Sequence, residues 1–303
     1  MSNLAMAKAI SKVQLAGQYS DRHFDEIRLP SGSTHYQVKG EGPVVILVHG
    51  VSGPLAVWDN TFEALVASGY RVVRYDLFGR GFSDRLLDSS YSLATYVKQL
   101  EELISALKLG PRVRLVGSSL GGIITTEFTL QHPDKVDGLV LIGPAGFPIK
   151  TPFAARLRDL PVVGDFLTDL LSYKTILKQN DHYFVNGKMP YELQPYIAAQ
   201  LLVRGTTNAI LKTMKNAPVQ SFVESYEALG KLSVPVGVIW GRQDDTFPYE
   251  NARILMNAAP QAQLVTVENA GHLPQYERAD EVNTALVRFE RMFDANSSKS
   301  MTQ

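Results

Sequence analysis

The pentapeptide Gly-Ser-Ser-Leu-Gly at 117–121 contains the side chain whose chemistry the sequence predicts most directly. It lies between a short apolar segment, 112–116, which predicts a strand, and segment 120–130, which predicts a helix. A Gly-x-Ser-x-Gly at such a junction predicts a tight turn that exposes the serine hydroxyl on a strained backbone. Ser119 is therefore a candidate nucleophile, with the unpaired N–H groups of a helix N-terminus behind it.

A serine hydroxyl is a weak nucleophile that needs a base, an acid that orients the base, and donors for the developing oxyanion. His272 is the candidate base, because its segment Ala-Gly-His-Leu-Pro follows the last predicted strand. Asp244 is the candidate acid, just past the strand that ends at Trp240, and its neighbour Asp245 competes for that role. The alternative for either carboxylate is to cap the helix that begins near Tyr249.

The oxyanion donors are predicted at two backbone positions. One is the N–H of Leu120, directly after the nucleophile, and the other is the N–H of Val51 in the His-Gly-Val-Ser-Gly segment at 49–53. His49 follows a buried strand, and we expect it to fix this loop. The remaining histidines lie near the opening strands, at a helix end or in a long insertion, namely His23, His35, His132 and His182.

Strand and helix patterns alternate along the chain that must position these groups. Strands are predicted at 24–29, 34–38, 44–48, 70–75, 112–116, 136–142, 234–240 and 263–267. Helices are predicted at 58–67, 93–107, 120–130, 251–258 and 274–292, with a short amphipathic helix within 1–17. The alternation predicts an α/β fold with a mainly parallel, doubly wound sheet.

Between Pro144 and about Gly230 this alternation stops. Helical patterns at 153–160, 165–177, 193–204 and 206–215, together with many aromatic residues, predict a helical insertion. We expect residues 1–145 and 231–303 to form the core and residues 146–230 to form a lid whose aromatic side chains line a pocket. A surface for a protein partner is the alternative for these aromatic residues.

The composition excludes several classes of function. Thirty basic and 30 acidic residues cancel, so nucleic acid is not an expected partner. No apolar run approaches the roughly 18 residues of a membrane-spanning helix, so no integral membrane association is expected. The absence of cysteine excludes thiolate chemistry and favours the cytoplasm. We expect no cofactor or metal, because phosphate-loop and His-Glu-x-x-His motifs are absent and Gly79-Arg80-Gly81 lacks the third glycine of a dinucleotide fingerprint. No motif indicates an oligomeric state.

In five motifs the chain resembles the α/β-hydrolase family. They are His-Gly after the third strand, Asp-Leu-Phe-Gly-Arg-Gly-Phe-Ser-Asp at 76–84, the serine pentapeptide, Gly-x-x-Asp-x-x-x-Pro at 241–248 and Gly-His-x-Pro at 271–274. The resemblance implies an eight-stranded sheet with a helical cap after strand six. It also implies acyl-enzyme chemistry by Ser119, Asp244 and His272, with the Val51 and Leu120 N–H groups as the oxyanion hole.

Within that family, the expected activity is hydrolysis of carboxylic esters of small to medium, mostly apolar substrates. Ser119 disfavours the dehalogenase and epoxide-hydrolase relatives, which use a carboxylate nucleophile. Leu273 stands where C–C bond hydrolases of aromatic ring-cleavage products usually have Trp. A C–C hydrolase, a cofactor-free perhydrolase and a weakly catalytic ligand receptor remain alternatives.

Overall fold

A computed structural model describes residues 9–87, 89–148 and 165–300 of the chain. Within this part, the chain forms an eight-stranded sheet. Its strands are β1 (Asp25–Leu29), β2 (Gly32–Lys39), β3 (Val44–Val48), β4 (Arg71–Tyr75), β5 (Val113–Ser118), β6 (Val136–Ile142), β7 (Val236–Gly241) and β8 (Gln263–Val267).

The strand order is β1-β2-β4-β3-β5-β6-β7-β8. Strand β2 is antiparallel to both of its neighbours, and every other pairing is parallel. The eight-stranded, mostly parallel sheet predicted from the sequence is therefore confirmed. Strands β3 and β5 occupy its centre, which explains why β3 is continuously apolar and why every residue of β5 is buried.

Helices cover both faces of the sheet. The described helices are α1 (Lys12–Gln18), α2 (Asp59–Ala67), α3 (Leu93–Ala106), α4 (Leu120–Gln131), α5 (Asp165–Asp181), α6 (Gln194–Leu201), α7 (Thr206–Asn216), α8 (Val223–Leu229), α9 (Glu250–Ala258), α10 (Pro274–Glu277) and α11 (Ala279–Ser300). Alternate residues of β3, such as Ile46 and Leu47, belong to two different apolar clusters. One cluster includes residues of α3 and α4, and the other includes residues of α2 and α11.

One helix prediction differs from the structure in its continuity. The predicted helix at 274–292 is two helices, because Arg278 has φ −128° and ψ 51°, outside the helical region. The second of them, α11, continues past Met292 to Ser300. The predicted helix at 153–160 and the first eight residues of the chain lie outside the described residues.

Helices α5–α8 lie between β6 and β7, where the sequence predicts the insertion. Most of the aromatic side chains described there are buried, namely Tyr183, Phe184, Tyr196, Phe222 and Tyr226, whereas Tyr191 is exposed. Among the described helices, none is both long and apolar enough to cross a bilayer. The cytoplasmic location predicted from the cysteine-free sequence stays a prediction.

Candidate active site

Ser119 lies on a strained turn between β5 and α4. Its φ of 56° and ψ of −119° are rare for a residue with a side chain. The flanking glycines make this turn possible, since a Cβ on Gly117 would lie 2.3 Å from the Gly121 carbonyl oxygen. A Cβ on Gly121 would lie 2.0 Å from the Val48 carbonyl oxygen. The sequence thus holds the serine at the junction of the central strand and its helix, as the pentapeptide predicts.

His272 is paired with Asp244 and not with Asp245. The Nδ1 atom of His272 lies 2.8 Å from Oδ2 of Asp244, and both side chains are buried. The other oxygen of Asp244 accepts the N–H groups of Thr246, at 2.8 Å, and Phe247, at 2.9 Å. Asp245 is exposed. A carboxylate bound to Nδ1 holds the imidazole in the tautomer whose Nε2 is free to accept a proton.

The loop of His272 is attached to the segment that follows α5. The N–H of His272 donates to the Tyr183 carbonyl oxygen at 2.8 Å. The carboxylate of Glu277 accepts the N–H of Gly271 at 2.6 Å and the N–H of Val185 at 2.7 Å, so it joins the two segments. Burial raises the pKa of Glu277, although these two N–H groups act in the opposite direction. Glu277 was not among the predicted site residues, and nothing in its sequence context indicates this contact.

His49 fixes the peptide group that carries the Val51 N–H. Its Nδ1 lies 2.8 Å from the Gly50 carbonyl oxygen, and its Nε2 accepts the Leu77 N–H at 2.9 Å. Because a carbonyl only accepts and an N–H only donates, the ring must be neutral with its proton on Nδ1. Burial lowers the pKa of His49 to about 4, which agrees with a neutral ring. In a planar trans peptide, the Val51 N–H then points opposite to the fixed Gly50 carbonyl.

Buried side chains also fix the next two carbonyl groups of this loop. The guanidinium of Arg80 donates from Nε to the Val51 carbonyl oxygen at 2.8 Å and from an Nη atom to the Thr213 hydroxyl on α7 at 2.8 Å. Gln200 on α6 donates its amide to the Ser52 carbonyl oxygen at 2.9 Å. Arg80 and Gln200 are fully buried. The loop therefore depends on contacts with two helices of the inserted segment.

Two N–H groups near Ser119 are left without a partner. Among the described residues, neither the Val51 N–H nor the Leu120 N–H has a hydrogen-bond acceptor. Both residues line a cavity together with Ser119. The loop passes close to the serine, because a Cβ on Gly50 would lie 3.5 Å from the Ser119 Oγ. Two fixed and unpaired donors beside a serine hydroxyl are an arrangement that can stabilise an oxyanion.

The cavity at Ser119 is narrow and mostly apolar. Its volume is about 30 Å³, room for about two water molecules. The apolar lining comes mainly from Ile176, Tyr183, Ile210, Met214, Val219 and Phe247. No charged side chain of the described residues lines it.

The predicted site residues lie in two groups, one that lines the cavity and one that packs against aromatic residues of its lining. Ser119, Val51 and Leu120 border the cavity directly. The ring of His272 packs against Tyr183, with 5.0 Å between ring centroids, and against Phe247, at 5.5 Å. These two aromatic residues also line the cavity, so the His272–Asp244 pair is next to it.

Comparisons with known proteins identify the fold. A family model described as the alpha/beta hydrolase fold matches residues 43–174. A 2-hydroxy-6-oxo-6-phenylhexa-2,4-dienoate hydrolase of Comamonas testosteroni is 30% identical over 274 residues, which are 85% of this chain and 91% of that protein. Lipase 1 of Psychrobacter immobilis is 28% identical over 309 residues, which are 97% and 93% of the two chains. The solved structure of a meta-cleavage product hydrolase from Pseudomonas fluorescens superposes with a TM-score of 0.75 at 25% identity, covering 89% of this chain and 98% of that one.

Proposed function

Since this chain belongs to the α/β-hydrolase family, we propose that it is a serine hydrolase of carboxylic esters with small to medium, mostly apolar substituents. The observation that carries the proposal is the pairing of His272 with Asp244 beside a cavity that contains Ser119 and two unpaired N–H groups. Hydrolysis is common to the characterised relatives, whereas the kind of bond cleaved differs among their names.

In the proposed mechanism, the Ser119 Oγ attacks the acyl carbon while His272 takes the hydroxyl proton on Nε2. Asp244 stabilises the imidazolium that forms. The Val51 and Leu120 N–H groups donate to the oxyanion of the tetrahedral intermediate. His272 then protonates the departing alkoxide, the alcohol leaves, and water repeats the sequence on the acyl-enzyme to release the acid.

The cavity lining favours esters over C–C bond substrates. The dienoates in the names of the relatives are carboxylates. A carboxylate buried without a cation is costly, and none of the described lining side chains is cationic. A neutral ester fits this lining without such a cost. Similarity to two C–C hydrolases keeps C–C cleavage as the second candidate.

We further propose that residues 146–230 form a cap on a core made of residues 1–145 and 231–303. Its support is that Ile176, Ile210 and Met214, from helices α5 and α7, border the cavity opposite Ser119 and Leu120. The size of the acyl group accepted then depends on how these helices pack.

The proposal is tested by initial rates on p-nitrophenyl esters from acetate to palmitate, with wild type and Ser119→Ala in parallel. Turnover that peaks at short or medium chains and is lost in Ser119→Ala is the expected result. A peak at long chains would change the assignment to a lipase. No turnover by folded wild type would overturn the ester proposal, and a 2-hydroxy-6-oxo-dienoate would then be tried for C–C cleavage.

The acid is tested by a matched pair of variants. We expect Asp244→Asn to lower kcat by about 10⁴-fold, because the amide favours the wrong imidazole tautomer. The exposed neighbour gives the control, since Asp245→Asn should leave kcat unchanged. Equal losses in the two variants would contradict the assigned roles.

A further inference from the structure

Gln179 is a polar side chain in the apolar wall of the cavity. It lies on α5 three residues after Ile176, so the two residues share a face of the helix, and both line the cavity at Ser119. Its relative exposure is 7%. The residue is therefore more than nine-tenths buried, and it borders the cavity beside Ser119.

Within the described residues, the Gln179 amide has no hydrogen-bond partner, and its polar atoms are not among the inaccessible unpaired ones. Besides Gln179, the unpaired and accessible polar groups of the lining are those assigned to the proposed chemistry, namely the Ser119 hydroxyl and the Val51 and Leu120 N–H groups. The remaining polar side chains are paired or inaccessible. The Ser52 hydroxyl donates to Asn180 at 2.5 Å and lies 3.3 Å from the Tyr183 hydroxyl. The Thr246 hydroxyl is unpaired but has no accessible surface, so it cannot meet a ligand.

Because the Gln179 amide is accessible from the cavity, water can satisfy it while the cavity is empty. A ligand that displaces this water must supply the bonds itself, since an amide left dry and unpaired is costly. An amide can donate to a carbonyl or ether oxygen and can accept from a hydroxyl. It carries no charge, and the described lining supplies no counter-ion, so the ligand group that fits is neutral.

We propose that Gln179 is a specificity-determining residue that hydrogen-bonds a neutral oxygen-bearing group on the otherwise apolar chain of the substrate. The inference rests on the proposed ester hydrolysis and refines its substrate class. The enzyme then prefers oxo, hydroxy or alkoxy esters over purely hydrocarbon esters of the same shape, because only the former satisfy the amide.

The test compares two pairs of isosteric esters in wild type and Gln179→Met, a variant of similar length without the amide. One pair carries the oxygen on the acyl side, p-nitrophenyl 4-oxopentanoate against p-nitrophenyl 4-methylpentanoate. The other carries it on the alcohol side, 2-methoxyethyl butanoate against butyl butanoate. In at least one pair, the kcat/KM ratio of polar to apolar ester should fall about tenfold in the variant, the effect of one neutral hydrogen bond.

The controls separate this inference from the proposed function. Gln131→Met makes the same replacement on an exposed residue of α4 and should leave both ratios unchanged. Gln179→Leu is the second variant, and each ratio is internal to one preparation, so a partly unfolded sample does not alter it. Ratios within twofold of wild type for both pairs would overturn the role of Gln179. Turnover that survives in Ser119→Ala would instead overturn the proposed hydrolysis.

Discussion

His49 allows the loop that carries the Val51 N–H to be tested one hydrogen bond at a time. The Nδ1 proton of His49 binds the Gly50 carbonyl, and its Nε2 binds the Leu77 N–H. An asparagine amide can occupy the position of Nδ1, and a glutamine amide can reach the position of Nε2. His49→Asn therefore keeps the donor to Gly50, whereas His49→Gln keeps only the acceptor for Leu77.

Both variants should lose similar stability but differ in activity. Each leaves one buried backbone group unpaired, which costs about 1–3 kcal/mol. Only His49→Gln releases the Gly50–Val51 peptide whose N–H is proposed to bind the oxyanion. Loss of one oxyanion donor lowers kcat by roughly 10²- to 10³-fold, and we expect a loosened donor to cost about tenfold or more. The measurement is kcat on the preferred p-nitrophenyl ester, with urea unfolding of each variant.

His49 should also make the stability of the protein depend on pH. The pKa of His49 is lowered from 6.5 to about 4, and a difference of 2.5 units at about 1.36 kcal/mol each amounts to about 3 kcal/mol. Between these pH values the unfolded chain binds a proton that the folded protein does not, so stability is lost as pH falls from 6.5 to 4. This part of the pH dependence should be missing in His49→Asn. Equal losses of kcat in the Asn and Gln variants would refute the role assigned to the Gly50 contact.

Three further outcomes are expected. The Gly271 and Val185 N–H groups bind different oxygens of Glu277, and a glutamine side chain has only one accepting oxygen. In Glu277→Gln we therefore expect kcat to fall about tenfold with little change in KM. The control Glu281→Gln, at an exposed site on α11, should change neither kcat nor KM. Burial raises the pKa of Glu290 to about 7, so the folded protein holds a proton that the unfolded chain releases above about pH 4.5. Stability should therefore fall by up to about 3 kcal/mol as pH rises from 4.5 to 7, and urea unfolding of Glu290→Gln should lack this fall; a variant with the wild-type slope would contradict it. Gly121→Ala places a Cβ 2.0 Å from the Val48 carbonyl oxygen, so thermal unfolding should report a loss of about 3 kcal/mol, and a loss below about 1 kcal/mol would mean that the turn relaxes.

The sheet could be predicted because short continuous segments of the sequence mark its strands. Continuous apolar segments such as 44–48 and 136–142 mark strands buried on both faces, and glycines at 117 and 121 mark a close approach of helix and strand. The break at Arg278 could not be predicted in this way, because neither glycine nor proline stands there. Helix α10 ends without a residue type that marks a helix end.

The contacts within the site were predictable only in part. The sequence favoured Asp244 over Asp245 without a geometric reason, and the structure supplies one, since Asp244 also accepts two N–H groups of its own loop. Gln200 and Glu277 contact residues that are far from them in the chain, Ser52 and Val185 respectively. Such tertiary contacts leave no repeating pattern in the sequence.

The attachment of the loop at 50–52 to helices α6 and α7 has a consequence for protein engineering. Chimeras that exchange the segment between β6 and β7 are an obvious route to a new substrate range, because that segment supplies much of the cavity wall. A transplanted segment without an amide at position 200 or a hydroxyl at position 213 would leave the Ser52 carbonyl and the Arg80 guanidinium without these partners. Such a chimera should bind its new ester and yet turn it over slowly. A graft that carries these two residues along with the new wall should recover the rate.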